Sequence, residues 1–236
     1  MPNFNARSYQ LELLDNEAIP STDLHQNLIE LNTINTYLGG HAVTCQAMAS
    51  FALNKELTYT VLDIGCGGGD NLISIANWAR KNKLKLILTG VDLKQDCITF
   101  AKKKCKDYPE INLVCSDYRD YLTGDHHFDI IFNALFCHHF KEIALQELFG
   151  FMKKKSRIGF FINDLHRHPF AYYSIKTITQ LFSRSYLVKN DACLSVLRGF
   201  SLQELKQLFP NNYYHGIQIH WKWAFRWLII YKHGSK

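Results

Sequence analysis

The sequence predicts a doubly wound α/β fold of seven strands with the last strand antiparallel, extended by helices at the N-terminal end and after the fifth strand. Two observations carry this prediction. Between residues 58 and 164, five β-branched or apolar runs alternate with stretches of helical periodicity, the pattern of parallel strands joined by crossover helices. Beyond them, YYHGIQIH (213–220) and WAFRWLIIYK (223–232) read as a closing antiparallel hairpin of longer strands. Size and composition agree: 236 residues, 47% hydrophobic and 20% charged, suffice for a filled core and exclude a disordered chain.

Residues 1–54 read as helical throughout and as a cap distinct from a core over 55–236, with Ser21 a helix N-cap and Gly39–Gly40 a C-terminal stop. TYTVLDI (58–64) is the first buried strand, and it runs straight into glycines. Asp70–Lys81 follows as a helix, since Leu72, Ile75, Ala76 and Ala79 share one face. LKLILTGVD (84–92) is the second strand, Lys94–Asp107 a helix with its basic residues outward, and INLVCSD (111–117) the third strand. FDIIFNALF (128–136) is the fourth, followed by a helix carrying Leu145, Leu148, Phe149 and Met152, and SRIGFFIND (156–164) is the fifth. Residues 165–200 then interrupt the rhythm, where a connection of about two to six residues is usual. Within them Phe170, Tyr173, Thr177 and Leu181 mark one face of a helix, and Ile175, Ile178 and Phe182 another. A helix with two apolar faces must bury both. The insertion is therefore expected to roof a pocket together with Leu31–Thr44, a homodimer interface being the alternative. SLQELKQLF (201–209) is a short helix stopped by Pro210.

Net charge is +6 but unevenly spread: residues 1–60 hold two basic and six acidic side chains, the remaining 176 hold 25 and 15. A weakly acidic head on a basic body favours anionic ligands without demanding nucleic acid as a partner. Seven cysteines, none closer than eight residues to the next, offer neither a disulfide framework nor a C-x-x-C, and no metal site is expected. MPNFNARSYQ lacks the apolar stretch of a secretory leader, and the longest run free of Asp, Glu, Lys and Arg, Leu31–Asn54, is too polar to cross a bilayer. A cytoplasmic protein in a reducing compartment is expected.

The strongest local signal is VLDIGCGGGD (61–70), a buried strand turning through glycines into a helix. Such a turn lets backbone amides approach a nucleotide-like ligand. A dinucleotide fingerprint requires G-x-G-x-x-G, yet Gly65-x-Gly67 is followed by Asp70, and the frame from Gly67 ends on Leu72. Asp63 and Asp70 would also repel a pyrophosphate, whereas carboxylates suit a sulfonium or an ammonium. Asp92 ends the second strand, placed to accept hydrogen bonds from vicinal ribose hydroxyls. Ser116-Asp117-Tyr118 ends the third, where a carboxylate suits an exocyclic amine and an aromatic covers a ring.

Over roughly 58–164 this set resembles the class I S-adenosylmethionine-dependent methyltransferases and their Rossmann-like sheet. The resemblance implies S-adenosyl-L-methionine as cofactor. It places Gly65, Cys66 and Gly67 against the methionine part, with Asp63 and Asp70 near the ammonium. It further implies Asp92 with Leu93 at the ribose, Asp117 and Tyr118 at the adenine, and Asn133 beside the methionine end.

The Asp/Asn-Pro-Pro-Tyr/Phe signature of enzymes that methylate base amines is absent, its place reading Asn133-Ala134-Leu135-Phe136. Cys137-His138-His139-Phe140 follows, and a second polar cluster, Asn163-Asp164-Leu165-His166-Arg167-His168, follows the fifth strand. His139, next to the expected methyl position, and His166 are candidate bases for a phenol or enol, and Arg167 a candidate for holding an anionic acceptor. The alternative for each is structural, with Arg167 and Asp164 as a loop-fixing ion pair. LNTINTYLGGHAVT (31–44), DLHRHPFAYYSI and RGFSLQELKQLF resemble bacterial methyltransferases of phenolic or polyketide-type products. That resemblance implies a small-molecule aromatic acceptor and O-methylation, with C-methylation of an activated ring close behind. An RNA or protein methyltransferase docking through the basic body, and a non-catalytic protein that keeps the pocket, are the competing readings.

Overall fold

In a computed structural model, which describes residues 2–16, 19–210 and 214–234, the chain opens with irregular backbone and a single 3₁₀ turn at Leu13–Asp15. Two helices follow, α1 (Ser21–Tyr37) and α2 (Gly40–Ser50). The strand and helix alternation is β1 (Thr58–Ile64), α3 (Asp70–Asn82), β2 (Lys85–Asp92), α4 (Gln95–Lys104), β3 (Ile111–Cys115), α5 (Tyr118–Thr123), β4 (Phe128–Ala134), α6 (Glu142–Lys155) and β5 (Ser156–Leu165). The insertion holds α7 (Pro169–Phe182) and α8 (Tyr186–Arg198), and the chain closes with α9 (Leu202–Leu208), β6 (Gln218–Lys222) and β7 (Arg226–Lys232). The strand order is β3-β2-β1-β4-β5-β7-β6, with β1 to β5 parallel and β7 antiparallel to both β5 and β6.

Strict alternation along the strands divides the core in two. Leu62, Ile64, Ile131, Phe160 and Ile162 face α5, α6 and α9, while Val61, Ile130, Phe132 and Phe161 face α2 and α3. Phe132 and Phe161 stack at 4.8 Å between ring centroids across β4 and β5. Burial on both faces explains why these strands read as continuous apolar runs.

The structure departs from expectation at the ends. Residues 2–16 hold no α-helix, because their backbone serves tertiary contacts instead. Leu13 and Leu14 donate to the Asp191 carboxylate at 2.8 and 2.9 Å, and Arg7 donates to the carbonyls of Arg198, His138 and Phe140. Pro20 holds the cap position of α1, so Ser21 lies inside the first turn and its hydroxyl donates to Asp96 at 2.6 Å. Gly39, at φ +74°, does stop α1. The short helix α5 is an addition, started by Asp117, whose side chain accepts from the Arg119 amide. The closing hairpin starts later than expected: β6 covers only Gln218–Lys222, β7 begins at Arg226, and Tyr213 lies outside the described residues.

The insertion is tied to α1 through Glu30, which accepts from the backbone of Arg184 and Ser185 at 3.0 and 3.1 Å and from the Ser183 hydroxyl. Burial raises the Glu30 carboxyl, but these donors outweigh it and hold it below its ordinary range. Among the described residues, no helix is long and apolar enough to cross a membrane.

Candidate active site

In this strand order the chain reverses direction across the sheet between β1 and β4, and in such folds ligands bind beyond the carboxyl ends of the strands at that switch point. A cleft of about 480 Å³ opens there. Its floor is the turn after β1. Gly65 takes φ +74°, and a Cβ at that position would stand 2.2 Å from the Phe136 ring, so only glycine lets the turn pass beneath that side chain. Gly65 and Cys66 donate to the Val91 carbonyl at 2.8 and 3.1 Å, which locks the turn onto β2. Asp92 is gripped at both oxygens, by the amides of Gly67 and Lys94 at 2.9 Å each. Burial pushes its carboxyl up, and these two amides only partly offset that.

The other cofactor candidates divide by position. Asp70 opens α3 and lines the cleft, where Lys104 pairs with it. Asp63 lies beneath the loop, 1% exposed, with one carboxylate oxygen lacking any hydrogen-bond partner. Burial, then Asp92 and Asp70, push its pKa well above the ordinary carboxylate range. Three acids thus gather at one glycine loop with Lys104 paired to Asp70, and the acceptor chemistry fits a sulfonium and ammonium ligand. Cys66 lines the cleft, but burial raises its thiol well above the usual range, so it packs rather than reacts. Leu93 forms the cleft lip at 70% exposure.

Asp117 lines the cleft while its carboxylate engages Arg119, 2.6 Å away at the closest, and that guanidinium holds it below its usual range. Tyr118 meets Phe136 and Phe140 edge-on at 5.9 and 6.3 Å, forming an aromatic wall. Asn133 does not line the cleft. Its side chain is fully buried between Met152 and Cys137, and the β4 end instead presents Ala134, Leu135 and Phe136.

A second cavity of about 340 Å³ adjoins the first. Leu31, Ile34 and Leu38 of α1 form one wall, Phe170, Ile175 and Ile178 of α7 another, and Trp223 and Phe225 of the closing hairpin a third. Leu14, Leu31, Asn35, Leu135 and His139 line both cavities. Leu135 makes this shared wall in a left-handed conformation, φ +54°, that costs a branched residue about 1–2 kcal/mol. Its amide donates to Asn163 at 2.9 Å, which holds it there.

The polar end of this chamber holds Glu12, His138 and His139. His138 is buried with Nδ1 2.7 Å from Asp164, and His139 is partly exposed with Nδ1 3.2 Å from Asp15. Burial alone would raise Asp15, but His139, the Glu12 backbone and Arg198 hold its carboxyl far below the ordinary value. Arg198 stitches the parts together, donating to the carbonyls of Gln10, His138 and His139 and to Asp15 at 3.0 Å.

His166 lines neither cavity, and its expected role as a base is corrected accordingly. Its Nδ1 accepts from the Trp221 indole at 3.2 Å, its ring packs against Trp227, and burial, with the Arg167 guanidinium nearby, lowers its pKa to about 4. Arg167 is buried and structural, bonded to Phe4, Gly199 and Glu204, while Asp164 pairs with His138 rather than with Arg167. Sequence reasoning missed Glu12, Asp15 and Arg198. No periodicity or motif marks them, since they reach the site only through the irregular N-terminal segment and the end of α8.

The glycine turn, acid set and switch-point cleft define a class I methyltransferase fold. Residues 61–155 match the family described as the methyltransferase domain, so this stretch is a methyltransferase domain. The mitochondrial ubiquinone biosynthesis O-methyltransferase of Saccharomyces cerevisiae is 39% identical over 85 residues, covering 34% of this chain and 24% of that protein. The match thus spans about a quarter of the curated relative. Among solved structures, the plantazolicin methyltransferase BpumL in complex with S-adenosylhomocysteine superposes with TM-score 0.63 at 16% identity, covering 91% of this chain and 95% of that one. Magnesium protoporphyrin IX methyltransferase from Synechocystis PCC 6803 gives 0.58 at 10% identity, covering 93% and 100%. These likenesses show a shared fold.

Proposed function

We propose that this protein transfers a methyl group from S-adenosylmethionine to an oxygen of a small aromatic or phenolic molecule, with methylation of an activated ring carbon as the second outcome. One observation carries the reading: an apolar chamber shares a wall with the cofactor cleft, and His139 stands in that wall. The cofactor, when bound, supplies an electrophilic methyl on a sulfonium. The chain's own part is to bind, align and exclude water.

Asp92, fixed by two amides, keeps acceptor capacity for ribose hydroxyls, and Asp117 with Tyr118 borders the adenine end. Asp63 and Asp70 favour a cationic ligand above the loop. Asp15 accepts from Nδ1 of His139, which leaves the lone pair of Nε2 for the proton of an acceptor hydroxyl. We infer that α1 and the 165–200 insertion together act as the lid, since their side chains face each other across the chamber. The seven free thiols support a reducing, cytoplasmic setting. A chamber walled by Leu, Ile, Phe and Trp argues against an RNA acceptor, for which turnover would fall steeply with added salt.

Titration calorimetry tests the cofactor. S-adenosylhomocysteine is expected to bind and NAD to fail, and Asp92→Ala is expected to weaken the former by about 1.5–3 kcal/mol, the range for a charge-assisted hydrogen bond. Tight NAD binding with no response to S-adenosylhomocysteine would overturn the reading.

A further inference from the structure

The polar end of the chamber gathers three metal-ligating side chains. Nδ1 of His138 faces Asp164 at 2.7 Å and Nδ1 of His139 faces Asp15 at 3.2 Å, so in each neutral ring the proton sits on Nδ1 and Nε2 carries a lone pair. Both lone pairs point at one buried carboxylate. Nε2 of His138 stands 3.7 Å from one oxygen of Glu12, and Nε2 of His139 stands 3.9 Å from the other. Neither distance is a hydrogen bond. Three acceptors thus converge in a buried corner, their ligating atoms all within 4.8 Å of one another, with the Arg198 guanidinium alongside, its Nε 3.8 Å from Glu12.

We propose that Glu12, His138 and His139 bind a first-row divalent cation, zinc foremost, with an open position toward the chamber. Atoms bound to one ion at about 2.1 Å stand about 3–4 Å apart, and the observed gaps match that scale. Two imidazoles with a carboxylate are a borderline donor set suited to zinc, with two or more positions left for water or an acceptor oxygen. The surroundings support the ligands as metal sites require. Each histidine has its own carboxylate on Nδ1, fixing tautomer and ring orientation, and the Ser195 hydroxyl donates to Glu12 at 2.8 Å. Arg198 binds the backbone of both histidines and the side chain of Asp15, holding the N-terminal segment against the 3₁₀ turn at Cys137–His139. Glu12, 126 positions from His138 in the chain, is brought there by that segment alone.

This inference rests on the proposed function in placing the acceptor oxygen at this corner. It assigns the lowering of that oxygen's proton affinity to the ion, where the free imidazole of His139 would otherwise take the proton. Chelator-treated protein is titrated with zinc by calorimetry and with cobalt(II) by visible absorption. The expected result is one ion per chain with micromolar or tighter affinity, weakened at least about 100-fold in Glu12→Gln and in His138→Ala and unchanged in His166→Asn. Absence of binding, or equal binding by the Glu12→Gln variant, overturns the site, as does cobalt absorption lacking any ligand-field band when the protein is saturated. S-adenosylhomocysteine affinity is measured in the same samples. Turnover that persists without metal yet falls in His139→Ala overturns the ion and leaves the methyltransferase reading standing.

Discussion

The cofactor cleft and the acceptor chamber meet at Leu135 and His139 but are built on opposite plans. The cleft has its floor made by turns that follow strands directly, Gly65–Gly68 after β1, Asp92–Lys94 after β2 and Ser116–Arg119 after β3, with the N-terminal segment and α1 as its cover. Its geometry is set by backbone hydrogen bonds within and between neighbouring turns. The chamber shares the N-terminal segment and α1 with the cleft and takes its remaining walls from the insertion and the closing hairpin. Its polar residues are held by long-range side-chain contacts such as Ser195 to Glu12 and Arg226 to Asn35. A local design tolerates change in the flanks, whereas a distributed one fails wherever a single strut is cut.

The hardest test of that contrast is Arg198→Leu. It strips a buried cation from Asp15 and three carbonyls, and loss of one partner of a buried pair costs about 3–5 kcal/mol of stability. Denaturant titration is expected to show that loss, while the folded fraction still binds S-adenosylhomocysteine through the glycine turn and Asp92, although Arg198 also lines the cleft. Loss of that binding in natively folded protein would mean that cleft and chamber are one unit. His139→Ala should come next, lowering turnover by about 10²-fold with cofactor affinity nearly intact, read from single-turnover kinetics and calorimetry.

Smaller effects sharpen the boundary of the chamber. Ile178 lines it and Tyr173 does not, being 54% exposed on α7. Ile178→Asn should raise the acceptor KM several-fold and Tyr173→Ser should not; a changed molecular mass in solution with unaltered KM would assign this helix to a subunit contact instead. His166→Asn should leave kcat unchanged, because the ring lies outside both cavities. It should alter stability against pH. A histidine held near 4 in the fold but near 6.5 when unfolded stabilises the fold fully above 6.5, and that contribution disappears as pH falls from 6.5 toward 4. Denaturation midpoints measured across this window should fall less steeply in the variant.

The same contrast explains what could be read in advance. The strands and the cleft acids were legible because each is announced locally, by a β-branched run, a glycine pair or a strand-ending acid, as at Val61–Asp70 and Asp92. His139 was legible as a histidine following β4. Its partner Asp15 was not, for it lies in a segment whose composition suggested a helix and whose actual shape depends on Asp191 and Arg198 far along the chain. His166 looked equivalent to His139 on paper. Only the closing hairpin, which brings Trp221 to its ring, separates the two.

The scatter of the chamber along the chain has a consequence for how the protein is made. The glycine turn and the acids at 63, 70, 92 and 117 have all been synthesised by residue 118, whereas the chamber waits for Ser195, Trp223 and Arg226. At about 5–20 residues per second, several seconds separate the two. A nascent chain in that interval owns the glycine turn and the strand-end acids of the cleft but lacks the closing hairpin that walls the chamber. Completion of the polypeptide is what turns a binding fold into an enzyme with an acceptor, so premature termination within the last strands is expected to leave a binder without turnover.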